Sequence, residues 1–388
     1  MAEKGQDRTA SQLEQSSALR IFHLDTGMDL RGGQHQLLLL ARGLRERGLE
    51  QLIVCPERSA LATEAGDQHF PAFELPEHDP LGAWGVAQLR ARLSAERPGI
   101  LHAHDGRGQT FAWLASLGLP RSYRGLPLHR VAHRRVTFLP SRRSGGRAIY
   151  RLKYQHTCHA VIAVSEFIRQ QLVECGVPER MIEVIPDGIE IPPQLPSETA
   201  RREARERWGF AAGDFVAGSL GASTAEKGLD VAVEAARLLE TMLPEARLVL
   251  AGPSIRGAAG ESPRNVRFAP SPQGPPDLAE FFAALDLYLM PSRAEGLGSA
   301  ALLAMSHGMA VVASRVGGLP EIVTPGETGW LIPPESPEAL AEAIAAAAAD
   351  RARLGEFGVR ARARARQFSV ENMVRCTEAL YVRLAARA

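Results

Sequence analysis

Short runs of β-branched and other apolar residues alternate with amphipathic helical runs along almost the whole chain. Alternation of this kind is the sequence form of βαβ units, so it predicts parallel sheets with helices on both faces. In the first half the predicted strands are Leu19–Leu24, Gln51–Cys55, Ile100–His104, His129–Ala132, Ala160–Val164 and Ile182–Ile185. The last of these ends in the turn Pro186-Asp187-Gly188. Gly32-Gly33 read as a loop, followed by a helix over Gln34–Arg47 with Leu37, Leu40, Ala41 and Leu44 on its apolar face. In the second half, strands are predicted at Phe215–Leu220, Ala246–Ala251, Val266–Phe268 and Leu287–Met290, and helices at Pro337–Ala349, Arg351–Gln367 and Val370–Ala385.

With 388 residues the chain exceeds one ordinary core, so two α/β domains are expected. Residues 1–17 are polar, have no apolar core of a leader peptide, and read as a disordered tail. Residues 18–190 form the first predicted domain. The Pro-rich stretch Ile191–Ser197 reads as a connector into the second, 191–369, and a terminal helix occupies 370–388. The formal charge of +1 argues against a dedicated nucleic-acid binder, and no uninterrupted apolar run reaches the roughly 20 residues of a membrane span. Four scattered cysteines without metal-ligand spacing fit a reduced, cytoplasmic protein.

Residues 291–330 carry the most chemistry. A strand-like run ends at the turn Glu295-Gly296-Leu297-Gly298. A helical run, Ser299–His307, follows, then a β-branched strand, Ala310–Ser314, and the turn Gly317–Glu321. A tight glycine loop opening a helix presents bare N–H groups and a positive dipole end to an anion. Glu295, just before it, is placed to accept hydrogen bonds from hydroxyls. The combination suits a ligand with both phosphates and a sugar.

This segment resembles the donor-binding segment of the retaining, GT-B-fold glycosyltransferases of family 4. The usual pattern reads P-S-x-x-E-G-x-G-x-x-x-x-E-A-M-x-x-G-x-P-V-V-A-S-x-x-G-G-x-x-E. The chain matches it at Pro291, Ser292, Glu295, Gly296, Gly298, Ala304, Met305, Gly308, Val311–Ser314, Gly317, Gly318 and Glu321. It departs at Leu303, where the family's second acid, which binds the nucleotide ribose, is expected. The resemblance implies a GT-B architecture with two Rossmann-like domains facing a cleft, the terminal helix crossing back onto the first. It also implies a nucleotide-diphosphate sugar as donor, no cofactor, no metal and retention of configuration. Glu295 would hold donor-sugar hydroxyls, and the amides of Gly296, Leu297, Gly298 and Ser299 would face the departing diphosphate.

Lys227, in Thr224-Ala-Glu-Lys-Gly228, sits between a predicted strand and a helix, where a lysine can meet a diphosphate as a point charge. A solvated surface lysine is the alternative; the resemblance, which has lysine in the same E-K-G context, favours the diphosphate. An arginine that the family often carries five or six residues earlier falls here on Gly221 or Ala222, and Arg293 is a candidate substitute. Gly32 and Gly33 match the family's first glycine loop, lining the cleft. His133, in Val131-Ala-His-Arg-Arg135, follows a predicted strand at the position of a family histidine near the reacting sugar; a surface histidine in a basic loop competes with that reading. His102 and His104 lie at alternate positions of a strand end, without a third metal ligand at recognisable spacing. Asp187-Gly188 is explained by turn chemistry alone.

Between Asp105 and Glu166 there is no acidic residue but eleven Lys or Arg, among them Arg134, Arg135, Arg142 and Arg143. Such an island raises the local concentration of an anionic partner. It reads either as a solvated loop or as the site of a phosphorylated or lipid-linked acceptor, with peripheral inner-membrane contact as a further expectation. Together these features predict a glycosyltransferase of bacterial envelope polysaccharide (lipopolysaccharide-type) synthesis. A degenerate scaffold that binds a sugar nucleotide without turnover, and a sugar-nucleotide epimerase of the same architecture, are the rivals.

Overall fold

A computed structural model describes residues 19–76, 82–119, 122–123, 126–137, 146–221, 224–252, 263–272 and 274–386. The chain divides into two compact units. One runs through Gly188 and resumes at Val370; the other is Ile189–Ser369.

The first unit is built on a seven-stranded sheet in the order β3-β2-β1-β4-β7-β8-β9. Its strands are β1 (Arg20–Leu24), β2 (Glu50–Pro56), β3 (Ala72–Leu75), β4 (Ile100–Ala103), β7 (His129–Arg134), β8 (Ala160–Ala163) and β9 (Ile182–Val184). All neighbours pair in parallel. A small antiparallel pair, β5 (Ser122–Tyr123) and β6 (Leu126–Pro127), stands apart. Strands β1, β4 and β8 are almost wholly buried, as strands covered on both faces must be. Their apolar side chains meet the helices on either side. Phe22, Leu24, Leu52, Leu101 and Phe111 form one layer; Leu19, Ile21, Leu40, Leu44 and Ile162 form the other.

That second layer includes Met373, Val374, Leu380, Tyr381 and Leu384 of the terminal helix Val370–Ala385. This helix therefore completes the core of the first unit, and an Arg47–Glu378 ion pair at 2.8 Å ties its rim to the helix Gly32–Glu46. Gly43 faces Val374 so closely that a methyl group there would come within 2.4 Å of it. The Gly188 peptide is held twice by Gln36, whose side-chain amide accepts from its N–H and donates to its carbonyl, each at 2.9 Å.

The second unit has a six-stranded sheet in the order β12-β11-β10-β13-β14-β15, again with parallel neighbours. The strands are β10 (Phe215–Leu220), β11 (Ala246–Ala251), β12 (Val266–Ala269), β13 (Leu287–Met290), β14 (Val311–Ser314) and β15 (Gly329–Ile332). In both units the strand order reverses beside the first strand of the unit, between β1 and β4 and between β10 and β13. Loops leaving the carboxyl ends of two such strands diverge and leave a crevice, which is where open α/β sheets bind ligands.

The parallel-sheet prediction holds in both units. Two local predictions do not. Gly32 and Gly33 are the first residues of the helix Gly32–Glu46, not a loop before it. The Gln34 side chain accepts from the Arg31 N–H at 3.0 Å, and the helix starts two residues earlier than predicted. Similarly, the turn Gly317–Glu321 contains a short helix, Leu319–Ile322, with proline in its first turn, where its missing N–H costs nothing.

Candidate active site

In the second unit the loops after β10 and β13 pack directly on one another. The Arg293 N–H donates to the Glu226 carbonyl at 2.7 Å. Gly228 has φ +62°, and a Cβ there would lie 2.0 Å from the Pro291 carbonyl oxygen. Only glycine permits this approach. It brings Lys227, at the end of the turn Ala225–Lys227, to Glu295: the ammonium nitrogen lies 2.6 Å from Oε1. Ser292 Oγ donates to the same oxygen at 2.9 Å. The Glu295 side chain is 10% exposed and that of Lys227 31%, so the pair is shielded yet reachable.

Behind Glu295 the chain turns through Gly298, at φ +105°, into the helix Ser299–Ser306. Leu297 is buried, while Ser299, Ala300 and Leu303 share the half-exposed helix face. The turn is fixed from outside by Gly317 and Gly318. A Cβ on Gly317 would lie 1.8 Å from the Glu295 carbonyl oxygen, and one on Gly318 would lie 2.4 Å from that of Gly296. The Gly318 N–H donates to the Glu295 carbonyl at 3.3 Å. The glycine pair of the sequence motif is thus the platform that aims the glutamate loop.

Arg293 does not stand in for a missing diphosphate cation. Its guanidinium holds Asp230 through both nitrogens, at 2.9 and 2.7 Å, and also Glu335 at 2.8 Å. These two carboxylates push its pKa further up and commit it to bracing the loop.

In the first unit the carboxyl ends of β1, β4 and β7 gather a polar cluster that is almost entirely buried: His23, His102, His104 and His133, with Asp25, Arg135 and Asp187. His133 lies within β7, not in a loop after it. Its ring stacks on His102 with centroids 5.5 Å apart and 6° between planes. His102 Nδ1 is 2.6 Å from the hydroxyl of Tyr381, which the terminal helix delivers. His23 bridges His104 and Gln51, 3.0 Å from each. Burial pushes all four imidazoles toward the neutral form, His23 to about 4 and the others well below their ordinary value; the Arg135 charge adds to the shift of His102, His104 and His133.

His23 supplies the third imidazole that sequence spacing did not reveal. Nitrogens of His23, His102 and His104 lie within 4.8 Å of one another. Both His23 nitrogens, His104 Nε2 and His102 Nδ1 are nevertheless occupied, by each other, by Gln51 and by Tyr381, while His102 Nε2 has no hydrogen-bond partner; the Arg135 guanidinium stands 3.4 Å from His104 Nδ1. A cation would have to displace those hydrogen bonds beside a fixed positive charge, so the cluster fits a neutral hydrogen-bonded network better than a metal centre.

Arg135 is not part of an exposed basic patch. Its guanidinium is 2.9 Å from Asp187, and both side chains are under a tenth exposed. Asp187 is accordingly more than a turn residue: it neutralises a buried arginine. Arg134 is half-buried beside Tyr150 and Tyr154, and Arg142 and Arg143 lie outside the described residues. Two carboxylates escaped sequence reasoning. Asp25 accepts from the Gly27 N–H at 2.9 Å and from Gln34 at 2.7 Å. Asp105 accepts from the Thr26 N–H at 2.7 Å and its hydroxyl at 2.5 Å. Burial, then the neighbouring Asp105, raise the Asp25 pKa. The available signal was a set of polar residues at the end of an otherwise apolar strand.

Residues 200–367 match the family model described as glycosyl transferases group 1, and residues 30–191 match glycosyltransferase family 4. The chain belongs to the group 1, family 4 type of glycosyltransferases. Two relatives are named D-inositol 3-phosphate glycosyltransferase. The protein of Acidothermus cellulolyticus is 30% identical over 71% of this chain and 65% of its own length. That of Nocardia farcinica is 35% identical over 52% and 47%. The chain thus spans about half to two thirds of these relatives. A crystal structure of HepE from Anabaena in complex with UDP and glucose has a TM-score of 0.78 at 22% identity, covering 93% of this chain and 99% of that one. The fold of this glycosyltransferase-family chain is therefore GT-B, two Rossmann-like parallel-sheet domains.

Proposed function

We propose that the protein transfers a sugar from a nucleotide-diphosphate sugar to an anionic acceptor. The observation that carries this reading is the Lys227–Glu295 pair at the reversal point of the second sheet, with the helix Ser299–Ser306 opening behind it. A carboxylate can hold sugar hydroxyls. An ammonium group and helix N–H groups can stabilise the charge that develops on a departing diphosphate. Those groups supply the charge stabilisation without a metal ion. The structurally similar Anabaena protein was crystallised with UDP and with UDP-glucose, which supports a uridine nucleotide as the first donor to test.

Transfer proceeds with retention in this reading. The leaving phosphate takes the acceptor proton as the acceptor attacks on the same face, so the new glycosidic bond forms as the sugar–phosphate bond breaks. His133 lies at the carboxyl end of the first sheet and is held neutral, able to accept or donate a hydrogen bond without carrying charge. The acceptor is an anionic envelope glycan or lipid-linked glycan; the names of the relatives add phosphorylated inositol to the set. The competing reading, a binding scaffold without turnover, draws on Leu303 and on Ala222, where the family often carries an acid and an arginine.

The test is transfer from a panel of radiolabelled sugar nucleotides to inositol phosphate, lipid-linked and lipopolysaccharide-type acceptors. Anomeric configuration is read by NMR, with and without EDTA. Transfer that persists in EDTA with retained configuration is expected. Donor binding without transfer to any acceptor, together with no hydrolysis, would establish the scaffold instead.

A further inference from the structure

Strand register puts the buried histidines of the first unit on one face of its sheet. His23 pairs with His102, and His102 with Val131, two residues before His133 on the same strand. Side chains alternate along a strand, so His23, His102, His104, Val131 and His133 point to the same side. Earlier on that side stand Ile21 and Ile100, which pack with Val131 against Val374, Leu380, Tyr381 and Leu384 of the terminal helix. The covered face thus changes from apolar to polar toward the carboxyl ends of the strands. Tyr381 sits at the change, with an apolar ring and a polar tip. Its ring is fully buried in the apolar layer, and its hydroxyl is 2.6 Å from His102 Nδ1. Ion pairs on both rims fix the rotation of the helix that delivers it: Arg47–Glu378 and Arg383–Glu183, each at 2.8 Å.

The tautomers of His23, His104 and His102 follow from their partners. The Gln51 amide donates through its nitrogen to the Ala41 carbonyl at 3.0 Å, so its oxygen faces His23 Nε2 and can only accept. His23 therefore carries its proton on Nε2. Burial holds it neutral, so its Nδ1 accepts and His104 Nε2 is the donor of their 3.0 Å bond. His104 Nδ1 is left to face the Arg135 guanidinium as an acceptor. Tyr381 does for His102 what Gln51 does for His23. Its hydroxyl has no other hydrogen-bond partner among the described residues, so a phenol that accepted from His102 would leave its own proton buried and unpaired. The phenol donates, and His102 carries its proton on Nε2.

His133 is the member of the cluster that no hydrogen bond orients. Both of its nitrogens are buried without a partner among the described residues. What holds its plane is the His102 ring, parallel to it within 6° at a centroid distance of 5.5 Å. We propose that Tyr381 is a positioning residue for sugar transfer: its phenol holds His102 in one tautomer and one plane, and the His102 ring holds His133 in the orientation that meets the acceptor. The inference rests on the reading that His133 serves the acceptor. The terminal helix is then part of the site as well as of the core.

Tyr381→Phe removes only the hydroxyl and tests the proposal. NMR of the full chain with isotope-labelled histidine, assigned through His102→Gln and His133→Gln, should show wild-type His102 protonated on Nε2 with a hydrogen-bonded Nδ1. In Tyr381→Phe the His102 Nδ1 signal should shift, and the His133 signals should move with it. The kcat for transfer should fall roughly tenfold, with KM for the donor unchanged. With His133→Gln already in place, Tyr381→Phe should lower the rate no further, as expected of a residue that acts through His133. Leu384→Ala loosens the same helix at a buried apolar contact. It should lower the melting temperature at least as much, yet leave kcat and both imidazole spectra as in wild type. A proton on His102 Nδ1 in the wild type, His133 signals unmoved by Tyr381→Phe, or the same tenfold loss in the His133→Gln background would overturn the proposal. So would a loss of kcat in Leu384→Ala equal to that in Tyr381→Phe. A wild type that transfers to no acceptor would sink the functional reading and the reaction role with it, while the spectra decide separately whether Tyr381 fixes the two rings.

Discussion

Lys227 Nζ lies 2.6 Å from Glu295 Oε1, although 68 residues separate them, because Gly228 lets its loop close against the Pro291 carbonyl. The two residues are therefore one unit. Truncating either leaves a shielded charge without its partner, at a cost of about 1–3 kcal/mol in stability. Truncating either should also reduce turnover by roughly 10²–10³-fold if both act on the donor. Glu295→Ala, Lys227→Ala and the double variant form a cycle. We expect the double variant to lose far less than the sum of the singles, in both urea unfolding and initial rates. Additive losses would mean that the two groups act separately.

The glycine platform gives a second prediction. Gly317 combines φ +57° with a Cβ position 1.8 Å from the Glu295 carbonyl oxygen. Gly317→Ala must shift the loop that carries Glu295, with a loss of about 2–4 kcal/mol in stability. Its thermal shift with a sugar nucleotide should vanish. Gly326→Ala, also at positive φ but with open space around the added methyl group, should cost less and keep the ligand response.

How these sites read in the sequence depends on how far apart their parts lie along the chain. The turn Glu295–Gly298 and its helix are contiguous, so residue types and spacing place them. The order of parallel strands is not a local property. His23, Asp25 and Asp105 meet only because β1 and β4 are neighbours, and nothing in the run Arg20–Leu24 announces it. Tyr381 is further still: its hydroxyl reaches His102 across 279 residues. Arg135 reads as one of many exposed basic residues because its partner Asp187 lies two strands away. Leu303 can be read from the motif itself, since it is defined by what it replaces.

The imidazole cluster makes stability depend on pH. A histidine whose folded pKa is depressed favours the native state above its unfolded value, and that advantage is lost as pH falls toward the folded value. For His23 the window runs from 6.5 down to about 4, and His102, His104 and His133 act in the same direction. At 1.36 kcal/mol per pKa unit, His23 alone accounts for about 3 kcal/mol. Asp25, with a raised pKa, works the other way, because the native state takes up its proton more readily as pH falls. Urea unfolding should show the first unit losing stability steeply between neutral pH and pH 4. A flat profile there would contradict the neutral, buried cluster.

Leu303 offers the most direct test of the donor site. It lies four residues after Ser299 on the same half-exposed helix face, where an added carboxylate need not be buried. The family pattern has an acid here that binds ribose hydroxyls, and a charged hydrogen bond contributes about 1.5–3 kcal/mol. Leu303→Glu should therefore tighten a nucleotide sugar by roughly one to two decades. The same change should leave the affinity for a sugar phosphate that lacks the ribose unaltered. Isothermal titration of both ligands separates a restored ribose contact from a general change in the loop. An equal gain for both ligands would place the effect in the helix and not at the ribose. No gain for either would mean that another residue already holds the ribose or that the nucleotide binds elsewhere.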